Sequence, residues 1–199
     1  SMCFSVAYFF IVPIIFYSPL TANVKFRKGG NGHLYSRLAE LENTQNVDLL
    51  FLGSSHTYRS FDTEYFSEMG LESFNLGSSS QTPDVTFALL GEYLGQLNPE
   101  FVVYEVYPNM IFKSGLESRV DLISNIGLTH WNSFWKLPNQ GINELNTAIV
   151  SSWDKILSEG FVEERIKGKD LYINGGYVKN EGIRIQFNEV DSIYIDFFL

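Results

Sequence analysis

Cysteine is almost missing from this sequence: Cys3 is the only one in 199 residues, so no disulfide can form within the chain. Histidine is nearly as scarce. His33, His56 and His130 stand far apart, and with a single cysteine they cannot compose a Cys/His zinc cluster, so no metal or other cofactor is expected. Positive charge is also short, with 14 Lys+Arg against 23 Asp+Glu. The resulting formal charge of −9 opposes phosphate backbones, and nucleic acid is not an expected partner. There is no Gly-x-x-x-x-Gly-Lys and no Gly-x-Gly-x-x-Gly, which leaves a flavodoxin-like nucleotide binder with Gly53 to Ser55 as its phosphate loop poorly supported. No internal repeat or low-complexity run occurs. What the chain does have is apolar bulk. At 45% hydrophobic and 16% aromatic it can fill a core, which excludes disordered and collagen-like classes, and its length suits one domain with or without an appendage.

Charge is wholly absent from Ser1 to Val24, and residues 2–20 are aromatic and β-branched, interrupted only by Pro13 and Pro19. A hydrocarbon core takes about 17–25 apolar residues, so residues 1–24 are expected to be a transmembrane or signal-anchor segment, with residues 2–20 in the membrane. Two alternatives stand beside this. One is a buried core element of the domain. The other is a cleaved signal peptide, although no basic region precedes the run and no small-x-small site follows it. Lys25, Arg27 and Lys28 would by the positive-inside rule hold the next domain in the cytoplasm, but the Ser before Met2 reads as a vector remnant that hides any upstream charge. The expected location is a single-pass anchor with its domain on the extracytoplasmic side. From Gly29 onward 11 Lys+Arg face all 23 acids, so the acidity belongs to the domain alone.

Residues 25–46 read as a hinge, Gly29-Gly30-Asn31-Gly32, followed by a lead-in helix with Leu34, Leu38 and Leu41 at helical spacing. Residues 47–199 read as an α/β domain whose part from 165 to 199 is less regular and partly β. Short apolar runs at 47–52, 72–76 and 101–106 predict buried strands, and Pro83 to Leu97 predicts an amphipathic helix with proline in its first turn. Such alternation predicts a parallel sheet covered by helices on both faces, with ligands at the carboxyl ends of the strands, here Gly53, Gly77 and Tyr107. Val120 to Ile126 and Ile142 to Leu157 also read as helices. Leu171-Tyr172-Ile173 and Tyr177-Val178 flank a turn at Asn174 to Gly176, the pattern of a hairpin.

Chemistry concentrates in Val47-Asp-Leu-Leu-Phe-Leu-Gly-Ser-Ser-His-Thr-Tyr-Arg-Ser-Phe-Asp62. A buried strand runs into Gly53, then Ser54 and Ser55, then residues able to open a helix, so a serine hydroxyl is presented on the first turn beyond the sheet. That geometry suits a nucleophile with backbone N–H groups beside it for a developing oxyanion. It equally suits serines that merely cap a helix. Phe74-Asn-Leu-Gly77-Ser-Ser-Ser80 and Glu105-Val-Tyr-Pro-Asn109 end the neighbouring strands, and they set a glycine N–H and an asparagine amide beside the first loop. Elsewhere, Asp62, Glu64 and Glu68 read as a solvated face rather than a carboxylate cluster. Trp131, Trp135 and Trp153 read as packing rather than a sugar platform. Glu105, at a strand end, needs a partner, for which Arg59 is the candidate.

These residues resemble the SGNH (GDSL-like) hydrolase superfamily, and within it the membrane-anchored cell-envelope members with a Gly-Ser-Ser-His string, distantly similar to the D-alanyl transfer protein of the teichoic acid system. The resemblance runs from about Asp48 to Asn109. Its first block, Gly-Asp-Ser, falls on Gly53-Ser54-Ser55 and implies Ser55 as nucleophile. Its second, Asn-x-Gly, falls on Asn75-Leu76-Gly77 and implies Gly77 as an oxyanion N–H donor. The third, Gly-x-Asn-Asp, is matched only by Asn109, the implied amide donor. The fourth, Asp-x-x-His, is absent: no histidine follows His130, and neither His33 nor His130 has an acid three residues before it. His56 is expected to hydrogen-bond within the loop, because side chains of adjacent residues on such a turn point apart.

The resemblance implies a flavodoxin-like three-layer sandwich, SGNH-like and incomplete at its C-terminus, with the chain stopping short of the block that carries the base. It implies a serine acyl esterase or O-acyltransferase, a hydrolase-type enzyme acting on an acylated cell-envelope glycan or similar ester. The rival is a non-catalytic envelope or assembly protein that keeps the fold without the Asp-His pair, since a serine lacking a general base is a weak nucleophile.

Overall fold

The computed structural model describes residues 2–16, 24–126, 137, 141–158 and 160–180. His130, Trp131, Trp135 and the C-terminal part of the 165–199 region fall outside these residues. Three short parallel strands form the first sheet: β1 (Leu49–Leu52) lies between β2 (Ser73–Asn75) and β3 (Phe101–Tyr104). The expected apolar runs are therefore strands, each a little shorter than its run. Two-sided burial explains the composition of β1. Leu50 and Leu52 face a core with Leu34, Leu38 and Leu41 of α2 (Leu34–Leu41), and with Val85, Ala88 and Leu89 of the later helix α5 (Pro83–Leu97). Phe51 faces the other way and stacks at 4.4 Å on Phe61, between α3 (Ser55–Ser60) and α4 (Thr63–Glu68). Asp62 caps α4 by accepting from the Glu64 N–H, while Glu64 and Glu68 are exposed, as a solvated face requires.

The two edges of this sheet differ. β2 is covered by a second, antiparallel sheet, β4 (Ile166–Lys167), β5 (Asp170–Ile173) and β6 (Tyr177–Asn180), whose tight turn at Asn174 to Gly176 inserts against the end of β2. Asn75 N–H donates to Gly175 O at 2.7 Å. Gly176, at φ +86°, leaves so little room that a Cβ there would stand 2.3 Å from Asn75 O. By contrast all four residues of β3 are exposed, with Phe101 at 65%, although the run was expected to be covered on both faces. Among the described residues no further strand pairs with β3, which is an edge of this sheet.

After β3 come α6 (Pro108–Ile111), α7 (Leu116–Asn125) and α8 (Ile142–Leu157). Of the N-terminal apolar stretch, the described residues 2–16 form α1 (Met2–Phe16), while residues 17–23 of the expected membrane segment lie outside the described residues. At 1.5 Å per residue the 15 described residues of α1 span about 22 Å. No helix among the described residues is long and apolar enough to cross a membrane. Within the described residues α1 docks on α8. Val12 is buried with Ile149 and Val150, Tyr8 Oη donates to Asn146 Oδ1 at 2.6 Å, and the Phe10 ring meets Trp153 at 5.3 Å. Pro13 has no N–H to offer the Phe9 carbonyl, and Trp153 Nε1 donates to that carbonyl at 3.1 Å. Trp153 thus packs and repairs a helix, as the packing reading of that residue held.

Candidate active site at the carboxyl ends of the parallel strands

The first turn beyond β1 is drawn tight by its neighbours. Leu76 N–H donates to Phe51 O at 2.8 Å, Glu105 N–H to Leu52 O at 2.8 Å, and Ser78 N–H to Gly53 O at 3.1 Å, so the three strand ends are stitched directly together. Gly53 sits at φ +144°, and a Cβ there would lie 2.3 Å from Thr57 Oγ1 and 2.7 Å from Glu105 Oε2. Only glycine lets those two side chains close over the turn. Gly77 is the counterpart on β2's loop: a Cβ would stand 3.0 Å from Thr57 Cβ and 3.1 Å from Gly53 O.

Ser54 and Ser55 take different parts. Ser54, buried, is the N-cap of α3: its Oγ accepts from the His56 N–H at 3.4 Å, and both its N–H and its hydroxyl reach Glu105 Oε2 at 2.8 Å. The capping role weighed for these serines therefore belongs to Ser54. Ser55 opens α3, half-buried, and its hydroxyl makes no hydrogen bond among the described residues. That leaves Ser55 Oγ free for an external carbonyl carbon.

Asn75 is fully buried and bridges two loops. Its amide donates to Thr57 O at 2.9 Å, while its Oδ1 accepts the Gly77 N–H at 3.2 Å. The Gly77 N–H would thus have to exchange the Asn75 acceptor for a substrate oxygen in order to serve as an oxyanion donor. Asn109 lies on α6, exposed, with its amide donating to Tyr107 Oη at 3.1 Å; it makes no hydrogen bond to the Ser55 turn. His56 does hydrogen-bond within the loop, its Nδ1 standing 3.2 Å from Ser54 Oγ and 3.8 Å from Glu105 Oε1, with its ring edge-on to Tyr107 at 4.9 Å. No hydrogen bond joins Ser55 Oγ to a histidine among the described residues. His33, at the N-cap of α2, is buried against the Tyr172 ring, and burial lowers its proton affinity.

Arg59 is not the partner of Glu105. It forms a two-pronged pair with Asp170 at 2.8 and 2.7 Å, which holds the Asp170 carboxyl below the usual carboxylate range. The partners of Glu105 are Ser54, Thr57 and His56 instead. Arg37 is the residue that sequence reasoning passed over. Fully buried, it donates to Gly77 O at 2.9 Å, to Gly32 O at 2.9 Å, and through both Nε and Nη2 to Gly176 O at 3.1 and 2.9 Å. It therefore anchors the loop after β2 from behind. One signal was available: position 37 falls on the same helical stripe as Leu34, Leu38 and Leu41, where a charge must be buried with partners.

Among the described residues no three His, Cys, Asp or Glu side chains converge as metal ligands. The arrangement offers one unengaged hydroxyl on a turn whose flanking residues are both held. No family model, no curated protein and no solved structure matches the chain, so what this turn can do rests on its own chemistry.

Proposed function

We propose that the chain is an SGNH-like serine acyl esterase or O-acyltransferase with Ser55 as its nucleophile. The observation that carries this reading is the free Ser55 hydroxyl on the first turn beyond the central strand, between a Ser54 and a His56 that are both tied down. The two blocks of the resemblance, Gly53-Ser54-Ser55 and Asn75-Leu76-Gly77, abut directly, since a Cβ on Gly77 would stand 3.1 Å from both Gly53 O and Ser54 O, which supports treating them as one site. In the reaction Ser55 Oγ bonds to the acyl carbon, the ester C–O bond breaks, and the alkoxide departs with a proton; the serine proton passes to a general base. Water or an acceptor hydroxyl then takes the acyl group. The substrate class, an acylated cell-envelope glycan on the extracytoplasmic side, comes from the resemblance.

A second reading has its own observation in favour: no histidine is bonded to Ser55 among the described residues, as in a non-catalytic envelope or assembly protein with this fold. The two separate on covalent labelling. With a fluorophosphonate probe, the first reading expects the wild-type chain to gain the probe's mass on the peptide containing Ser55 and Ser55→Ala to gain none. Equal absence of label in both, beside a serine hydrolase that labels under the same conditions, overturns the first reading and favours the second.

A further inference from the structure

Glu105 occupies an unusual place for a carboxylate. It follows β3 directly, its N–H still paired to Leu52 O, and its side chain reaches across the end of β1. Gly53 makes the room, since a Cβ there would stand 2.7 Å from both Glu105 Cβ and Oε2. A single oxygen, Oε2, takes the Ser54 N–H and the Ser54 hydroxyl at 2.8 Å each, with Thr57 Oγ1 at 3.5 Å.

The hydrogen-bond inventory then fixes the rest of the turn. Ser54 has one hydroxyl proton, and a carboxylate can only accept, so that proton points at Glu105. Ser54 Oγ is left as an acceptor for its two other neighbours, the His56 N–H at 3.4 Å and His56 Nδ1 at 3.2 Å. Nδ1 therefore carries a proton, and in the neutral ring Nε2 holds the lone pair. Glu105 thus orders the residue before Ser55 directly and the residue after it through Ser54.

We propose that Glu105 is the positioning residue of the Ser55 turn, supplying from the end of β3 the carboxylate that a Gly-Asp-Ser block carries at the place of Ser54. This rests on the acyl-transfer reading for its purpose but not for its geometry, and the experiment separates the two. Amide hydrogen exchange at Ser54 and His56 and the fluorophosphonate labelling rate of Ser55 are measured in wild type, Glu105→Gln, Ser54→Ala and the double variant Ser54→Asp/Glu105→Gln. Replacing charge-assisted hydrogen bonds by neutral ones is expected to speed exchange at both amides about tenfold in Glu105→Gln. Ser54→Ala keeps the backbone bond to Glu105 and is expected to release only the His56 amide. Asp at position 54 returns a carboxylate to the turn, and the double variant is expected to recover His56 protection and most of the labelling rate. Unchanged exchange in Glu105→Gln, or no recovery in the double variant, overturns the proposal. If exchange follows the expected pattern while wild-type Ser55 takes no label, the positioning role stands and the acyl-transfer reading falls.

Discussion

Replacing Arg37 by Met is expected to lower the thermal midpoint by roughly 10–20 °C. The side chain is fully buried and makes four hydrogen bonds to three carbonyls, those of Gly32, Gly77 and Gly176. Methionine fills similar volume but leaves all three acceptors without their donor, at about 1–3 kcal/mol each. The total, about 3–9 kcal/mol, is a large share of the 5–15 kcal/mol typical of a domain. None of the bonded acceptors is a carboxylate; the guanidinium is satisfied by carbonyl dipoles and by the Tyr58 ring face 4.8 Å away. Lysine offers a point charge in place of a planar fork, so Arg37→Lys should fall between wild type and Arg37→Met. Circular dichroism melts decide this, and an Arg37→Met midpoint within 3 °C of wild type would contradict it. Because Gly77 O lies on the loop that abuts Gly53, Arg37→Lys should also slow labelling of Ser55 at temperatures where it is fully folded.

That dependence shows where the sequence could and could not be interpreted. The helix over Pro83 to Leu97 and the one over Ile142 to Leu157 form with the expected boundaries, because their stripe, proline and length are local signals. The parallel strands were equally legible, being apolar runs that end in glycine or polar turns. The turn from β1 into α3 could be located on the same grounds. What could not be read is every contact closed across the chain. Arg37 meets Gly176 from 139 residues away, and a Leu-rich helix stripe does not say which carbonyls will meet the one charge on it. Glu105 was marked as needing a partner, but Arg59 is drawn off by Asp170, 111 residues further on, and the true partners are small hydroxyls in the turn itself. Likewise the composition of α1 allows a membrane, while the Phe9 carbonyl freed by Pro13 and met by Trp153 is visible only in three dimensions.

Substitution of Asp121 by Asn is expected to stabilise the protein at pH 7.5 by about 2–3 kcal/mol and to remove part of its pH dependence. Asp121 lies on α7, buried beneath the Gly29-to-Gly32 hinge, where a Cβ on Gly30 would touch its Oδ1 at 2.6 Å. Burial pushes its carboxyl up to about 6; the Asn31 backbone, Arg27 and Arg37 pull against that, and Glu117 adds to it. The folded state therefore holds this proton more tightly than the unfolded chain does. Its contribution to stability is fully present below the unfolded value of 3.8 and is lost as pH rises through about 6. A shift of about two units corresponds to about 3 kcal/mol. His33, at the end of the same hinge, works in the opposite sense. Its proton affinity is lowered by burial from the ordinary 6.5, so its contribution is present above 6.5 and is lost as pH falls through the folded value. The wild-type profile sums these two opposing contributions. The difference between wild type and Asp121→Asn isolates the carboxyl. Urea unfolding at half-unit steps from pH 4 to 7.5 should show the variant gaining on wild type through pH 4 to 6 and holding that lead above. A constant difference across the range would mean that Asp121 does not titrate there in the folded protein.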